Sequence, residues 1–190
     1  MGCRGSVLSL CATSGFLVAC ASHAPSSTPN TFANLNDAGM VLVSGGGFPS
    51  ATYAVALYPS GVVEFCGVMN VEAIGERHGL VSIERVEALM SRAKSSGFFN
   101  LSDEYIGPVL HAGTVELSIA ERPGKLKSVF ESAGDLIGMP GIVIDLTAEI
   151  NKIADDNGWL GQSTYNVPDF PECGKKFGLR PPEIVKPIFR

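Results

Sequence analysis

The stretch from Tyr53 to Val68 constrains the fold most, because it has the pattern of a β-hairpin. Its first strand has a period of two, typical of a half-buried strand, with one face formed by Tyr53, Val55 and Leu57. Pro59 favours the second position of a type I turn, and Gly61 can adopt the left-handed conformation that closes a short loop. We therefore predict two antiparallel strands whose core face carries Phe65, with Cys66 on the opposite face.

Two further segments have the pattern of strands. Residues 40–43 are a short apolar run ahead of three glycines. Residues 114–120 alternate, and a Pro-Gly turn then leads into residues 125–132, which predicts a second hairpin. The glycines at 45–47 favour a flexible connection over a phosphate loop, because a strand follows them and no helix N-terminus is presented. Together these segments predict an antiparallel sheet of about five strands.

Two segments have the spacing of amphipathic helices. Ser82 is placed to cap a first helix whose apolar residues recur every three or four positions, and Gly97 is suited to end it. Residues 143–153 repeat this spacing and predict a second helix that ends near Trp159. The predicted fold class is therefore α+β, with both helices on one face of the sheet and a globular domain over residues 38–160.

The remaining segments are predicted to lack regular structure. Residues 70–79 have the composition of a polar loop, and residues 103–111 lie in the next connection. Residues 161–190 form a tail rich in proline, which favours an extended chain over a helix. Its stretch 183–186 is suited to lie along a sheet edge.

Residues 1–19 have the pattern of a signal peptide. Arg4 is the only charge before an apolar run from Val7 to Ala19, which is too short to cross a bilayer core of about 30 Å comfortably. The run ends in Leu17-Val18-Ala19-Cys20, which resembles the bacterial lipoprotein cleavage box. The resemblance implies that Cys20 becomes an acylated first residue held in the lipid bilayer. Ala21 after it implies the periplasmic side of the outer membrane if the cell is Gram-negative.

Residues 20–37 then predict a flexible tether, because their Ser, Pro, Thr and Asn content cannot bury enough apolar surface to fold. Two alternatives to the lipoprotein interpretation stay open. One is ordinary signal cleavage or an uncleaved anchor. The other is eukaryotic myristoylation with palmitoylation at Cys3, a pattern that residues 1–6 also fit.

The cysteine count predicts at most one disulfide in the mature protein. Cys3 and Cys11 leave with the signal peptide and Cys20 is consumed by lipid, so Cys66 and Cys173 remain in an oxidising compartment. We hypothesise that these two pair and pin the tail across the open face of the sheet. The alternative is two unpaired thiols, since pairing requires Cα atoms within about 7 Å.

The chemistry of the chain favours binding over catalysis. A net charge of −5 without a Lys/Arg cluster argues against a nucleic-acid surface. No Gly-x-Ser-x-Gly occurs, and the histidines lack paired metal-ligand spacing, so no cofactor or metal is predicted. We expect a non-catalytic binding or structural module that contacts an envelope protein, cell-wall material or a small ligand. The alternative is a hydrolase or metal-binding protein that uses the loop residues His78, His111, Asp103 and Glu104.

Residues 41–159 resemble a bacterial family of exported domains known as domain of unknown function 6438. The resemblance rests on the Tyr-x-Val-x-Leu-Tyr-x-x-Gly-x-Val hairpin from Tyr53, on Val81-Ser82-Ile83 at the start of the first helix, and on Gly97-Phe98-Phe99-Asn100-Leu101. It also includes Tyr105 and the hairpin and helix that end near Trp159. The resemblance implies this fold and an exported location, and it brings no known activity.

The chain departs from the family pattern at three positions. Members often carry a Cys-Phe-Gly-x-Cys-Pro-x-Tyr segment before the first hairpin strand, where this chain has Gly46 and Ser50 in place of the cysteines. They also carry a Thr-Asp pair after the later tyrosine, and here His111 falls near the position of the aspartate. A redox or metal role for those family residues therefore does not transfer to this chain.

Overall fold

The computed structural model describes residues 34–45, 50–161 and 170–179. All of these residues belong to one compact unit. The predicted signal peptide, Cys20 and most of the predicted tether lie outside the described residues. So does the stretch 183–186, for which the sequence predicts a place at a sheet edge.

The domain is built on one seven-stranded sheet. Its strand order is β4-β3-β2-β1-β6-β7-β5, and every neighbouring pair is antiparallel except β5 and β7, which are parallel. The strands are β1 Met40–Gly45, β2 Thr52–Leu57, β3 Val62–Met69, β4 Gly75–Leu80, β5 Glu104–Ile106, β6 Thr114–Arg122 and β7 Lys125–Ser132. The fold class is α+β, as predicted.

The prediction of about five strands was too low. β4 lies in the segment predicted to be a polar loop, and β5 lies in the connection that follows the first helix. Both are the edge strands of the sheet. An edge strand pairs on one side only and tolerates charged side chains such as Glu76 and Arg77, so its composition resembles that of a loop.

The first hairpin is confirmed as β2 and β3. The Tyr58 N–H donates a hydrogen bond of 2.9 Å to the Val62 carbonyl oxygen, and Gly61 has a φ of +83°. A Cβ at Gly61 would lie 2.4 Å from the Val81 carbonyl oxygen, so the turn requires glycine for space as well as for conformation.

Both predicted helices are confirmed, as α1 Ile83–Ser95 and α2 Gly141–Asp156. The Ser82 hydroxyl accepts a hydrogen bond from the Arg85 N–H at 3.2 Å, which caps α1. Gly97 follows its last turn with a φ of +78°, the left-handed stop that the sequence predicts.

The main core lies between α1, α2 and one face of the sheet. Its fully buried members come from strands and helices alike and include Leu42, Val55, Phe65, Leu117, Leu146 and Ile150. This is the face that carries Phe65, as the hairpin pattern predicts.

A short helix, α3, covers part of the other face, so the prediction of an extended tail was wrong for Glu172–Lys176. Pro171 is the N-cap of this helix, where no backbone N–H is needed, and its carbonyl oxygen accepts a hydrogen bond from the Gly174 N–H at 2.9 Å. Side chains from α3 and the residues just after it form a second apolar cluster with the sheet, which includes Cys173, Phe177, Leu179, Ala54, Ala56 and Val68. All of β2 is therefore buried, on both faces.

Candidate functional site

The structure does not bring together the four polar residues of the enzyme or metal alternative. His78 lies on β4 and Glu104 on β5, at opposite edges of the sheet, roughly 29 Å apart for strands spaced by about 4.8 Å. Asp103 forms an ion pair with Lys127, and His111 is an exposed loop residue with a φ of +60°. These four side chains do not form one site.

His78 lies instead beside two carboxylates that the sequence did not connect with it. Glu64 on β3 is its direct partner in the β3–β4 ladder, and His78 Nε2 is 3.3 Å from Glu76 Oε1. One donor atom from each of the three residues lies within 4.8 Å of the others. Imidazole and carboxylate are ligands that zinc takes in proteins, so the residue types suit a divalent cation.

A lysine ammonium already neutralises the buried carboxylate of this cluster. Glu64 is 3% exposed, and its Oε2 accepts hydrogen bonds from Lys176 Nζ at 2.6 Å and from the Tyr58 hydroxyl at 2.9 Å. A metal ion at this carboxylate would have to compete with the ammonium. We therefore interpret the cluster as an ion-pair network that fastens α3 to β3.

The same network includes the phenol of Tyr58, whose pKa is raised. Burial raises the pKa of Tyr58 above its usual range, and the hydrogen bond and negative charge of Glu64 raise it further. The cause is that an ionised phenol would place a second negative charge against a buried carboxylate. The Tyr58 phenol thus keeps its proton at neutral pH and donates a hydrogen bond to Glu64.

Cys66 and Cys173 provide a second fastening for α3. Their sulfur atoms are 2.04 Å apart and their Cα atoms 5.8 Å apart, within the range that a disulfide requires. The pair joins β3 to α3 across 107 residues of sequence, and both side chains are buried. The structure places the two cysteines at the distance that the hypothesised pairing requires, with the tail segment on the face opposite the main core.

A groove of about 270 Å³ lies between α2, the end of β7 and the segment that joins them. Asn151 at the groove accepts a hydrogen bond of 2.7 Å from the Tyr53 hydroxyl of β2, which fixes its amide. Thr147 Oγ1 is buried and has no hydrogen-bond partner among the described residues. Since buried polar atoms are nearly always paired, this hydroxyl is available to a ligand. The groove is lined by Glu131, Met139, Val143, Ile144, Thr147, Ala148 and Asn151.

Most of the exposed large apolar side chains lie at the end of β5 or in the segments that follow β5 and β7. Of the eight large apolar residues that are exposed in the described part of the chain, Leu80 and Ile83 lie where β4 leads into α1. The other six, which we call the end patch, are Ile106, Val109, Leu110, Leu136, Ile137 and Ile144.

The end patch is assembled by the parallel pairing of β5 with β7. Because the two strands run the same way, the segments that follow them leave the sheet at the same end. The Gly107 N–H donates to the Ser132 carbonyl oxygen at 2.8 Å, so these segments are in contact. The second segment continues through a 3-10 turn, Gly134–Ile137, into α2, where Ile144 lines the groove. Ile144 thus belongs to both the end patch and the groove, whereas Ile106, which pairs with Ser132, projects from the opposite face of the sheet.

The sequence reasoning missed both features. Val109-Leu110 and Leu136-Ile137 are apolar pairs inside connections rich in glycine and proline. Such connections run over the surface, so a pair of large apolar residues there has no core to enter. That signal was present in the sequence, whereas the contact between the two connections depends on strand pairing.

No helix among the described residues is long and apolar enough to span a membrane.

Comparisons with known proteins identify a family. A search of curated proteins found no match to this chain. A family model described as a domain of unknown function (DUF6438) matches residues 49–154, a range that contains every residue lining the groove. This range covers more than half of the 190 residues, and the chain belongs to the DUF6438 family.

Proposed function

We propose that this protein is a lipid-anchored module of the bacterial cell envelope that binds a partner and catalyses no reaction. In a Gram-negative cell it would sit on the periplasmic side of the outer membrane. Acylated Cys20 would hold it in the bilayer, and the predicted tether would let the domain reach a partner, up to the 3-10 helix Leu35–Asp37 that already belongs to the folded domain. The groove beside α2, with the half-exposed Ile144 in its lining, is the observation that carries the binding role.

The anchor is supported by the order of features at the N-terminus. A single positive charge, an apolar run and Leu17-Val18-Ala19-Cys20 follow one another as in bacterial lipoproteins. More than one acyl chain on Cys20 would make membrane attachment effectively permanent. Two buried cysteines at bonding distance, Cys66 and Cys173, also favour an oxidising compartment outside the cytosol.

The binding role is supported by the kind of surface that the groove and end patch form. Soluble monomers rarely leave large apolar side chains grouped in one place unless the surface has a use. Leu110 is 88% exposed and Leu136 is 63% exposed, on segments that touch. Covering each such side chain would contribute about 1.5–3 kcal/mol to association before its costs are counted.

The anchor is tested by metabolic labelling with palmitate followed by membrane fractionation. We expect label in the membrane fraction for the natural protein and for Cys3→Ala, and none for Cys20→Ala. Label that depends on Cys3 would support the myristoylation and palmitoylation alternative. An unmodified Cys20 on a protein found in the cytosol would refute the anchor.

The binding role is tested by crosslinking in intact envelopes. A photoreactive residue at position 144 should give a discrete crosslinked species, because Ile144 lines the groove. The same residue at position 80 is the matched control, since Leu80 is 77% exposed and lies on β4, at the opposite edge of the sheet from β5. Identical products from both positions, or none from position 144, would argue against a partner at the groove.

A further inference from the structure

Glu64, Glu76 and His78 present metal-binding atoms to one another at the β4 edge of the sheet. Glu76 and His78 are two residues apart on β4 and so lie on the same face of that strand, and Glu64 is the direct neighbour of His78 on β3. One donor atom from each residue lies within 4.8 Å of the others. The cluster shares no residue with the groove, so it does not depend on the proposed binding role.

The hydrogen bonds of the cluster leave two carboxylate oxygens open to a cation. Glu76 Oε1 is buried and has no hydrogen-bond partner among the described residues, although His78 Nε2 lies 3.3 Å from it. Buried polar atoms nearly always have a partner, so this oxygen needs an explanation. Both hydrogen bonds that Glu64 accepts in the described part of the chain, from Lys176 and Tyr58, go to Oε2 and leave Oε1 open.

The spacing of the nitrogen and the oxygen fits a tetrahedral zinc ion. Ligands bound to zinc at about 2.0–2.1 Å in a tetrahedron lie about 3.3 Å from one another. His78 Nε2 and Glu76 Oε1 are already 3.3 Å apart. Their side chains are 52% and 25% exposed, so both can turn towards the buried carboxylate of Glu64.

The charges around the cluster favour a cation, and its imidazole selects the kind of cation. The negative charges of Glu64, Asp37 and Glu76 all raise the pKa of Tyr58, so three carboxylates act at this place. Lys176 is the only lysine or arginine that forms an ion pair with any of the three within the described residues. Ca²⁺ and Mg²⁺ take oxygen ligands, whereas imidazole suits zinc and its neighbours among the transition metals.

We propose that His78, Glu76 and Glu64 form a binding site for a divalent transition-metal cation such as Zn²⁺. The cation binds His78 Nε2, one oxygen of Glu76 and one oxygen of Glu64, and water from the open edge completes the tetrahedron. It ties the edge strand β4 to β3. Because the cation and the Lys176 ammonium are both attracted to Glu64, each weakens the binding of the other.

The test measures Zn²⁺ binding to the full-length protein in detergent by isothermal titration calorimetry. The protein carries no polyhistidine tag and is first freed of metal with a chelating resin. His78→Gln and Glu76→Gln each remove one ligand at the exposed edge. His111→Asn is the matched control, since it removes an exposed histidine on a loop and asparagine tolerates the positive φ there. All variants keep the other cysteines and histidines, so binding by those residues is common to all.

We expect Zn²⁺ to bind the natural protein, and His78→Gln and Glu76→Gln each to bind it at least about tenfold more weakly, because one of three protein ligands is lost. Lys176→Met should strengthen binding by about threefold or more, since a competing charge is removed while the disulfide still holds α3. His111→Asn should change the affinity by less than about twofold. Mg²⁺ should bind the natural protein at least about tenfold more weakly than Zn²⁺ does.

Thermal unfolding gives a second measurement. Zn²⁺ at about 100 times its dissociation constant should raise the melting temperature of the natural protein by roughly 5–10 °C, because it binds the folded chain. The same concentration should leave His78→Gln nearly unchanged.

Three results would overturn the proposal. The first is Zn²⁺ affinity in His78→Gln or Glu76→Gln equal to that of the natural protein. The second is a loss of affinity in His111→Asn as large as in His78→Gln, which would indicate binding by scattered surface histidines. The third is unchanged affinity in Lys176→Met with unchanged circular dichroism, because a cation that does not compete with Lys176 is not bound to Glu64.

Discussion

Replacing both Cys66 and Cys173 by alanine should lower the thermal stability of the domain without changing its fold. The disulfide closes a loop of 107 residues, and the loss of unfolded-chain entropy for a loop of this length corresponds to about 4.7 kcal/mol at 25 °C. Alanine is the suitable replacement because both positions are buried and a serine hydroxyl would be left in an apolar cluster. The total free energy of unfolding of such domains is only about 5–15 kcal/mol.

The expected change in melting temperature follows from that free energy. For a domain of this size each kcal/mol corresponds to roughly 2–4 °C, so we expect a decrease of roughly 10–20 °C, measured by circular dichroism. Each single variant should show most of the same decrease, since either one breaks the bond. Lys176→Met serves as a comparison, because it removes the ion pair with Glu64 and leaves the sulfur atoms untouched.

Limited proteolysis separates two ways in which stability could be lost. If α3 stays docked in the double variant, cleavage near Phe177 should remain slow and the whole loss appears in the melting temperature. If α3 detaches, cleavage there becomes fast and the decrease is smaller, since local opening replaces global unfolding. A double variant that melts within about 3 °C of the natural protein with α3 still protected would refute the reasoning. Two titratable thiols in the unreduced natural protein would show that the bond does not form.

Three other perturbations test individual contacts. Alkaline pH should destabilise the protein because the raised pKa of Tyr58 makes the folded chain keep a proton that the unfolded chain releases near pH 10. The free energy of unfolding should therefore fall as the pH rises from about 9 to 11, less steeply in Tyr58→Phe. Ser82→Ala should lower the free energy of unfolding by about 1 kcal/mol, measured by urea denaturation, because the α1 cap is lost. Ser91→Ala, at an exposed position within α1, should not lower it. Gly61→Ala should lower the free energy of unfolding by more than about 1 kcal/mol, and by more than Gly124→Ala does. Both glycines have positive φ, but only at Gly61 would a Cβ clash with backbone atoms.

The parts of the fold that follow from short-range patterns could be predicted from the sequence. The β2–β3 hairpin depends on alternation and on a turn that contains Pro59 and Gly61, all within sixteen residues. The helices α1 and α2 depend on a repeat of three and four and on the cap at Ser82. In each case the residues that decide the structure are neighbours along the chain.

The parts that were missed depend on pairing between distant segments. β4 is a strand because β3 offers it a hydrogen-bonding edge, and its own residues, Gly75–Leu80, have no strand pattern. α3 forms although prolines surround it, since none lies within Glu172–Lys176 and the sheet offers it an apolar face. The groove was missed for the same reason, because its lining comes from β7, the segment after it and α2.

The two edges of the sheet differ in how the apolar side chains near them are covered, and this contrast points to where a partner binds. On the side of β3 and β4, α3 covers the sheet and is fastened by Lys176 as well as by the cysteine pair. The segments after β5 and β7 have no comparable cover among the described residues and keep large apolar side chains in water. Such exposure invites non-specific association, and charged residues around it limit that risk.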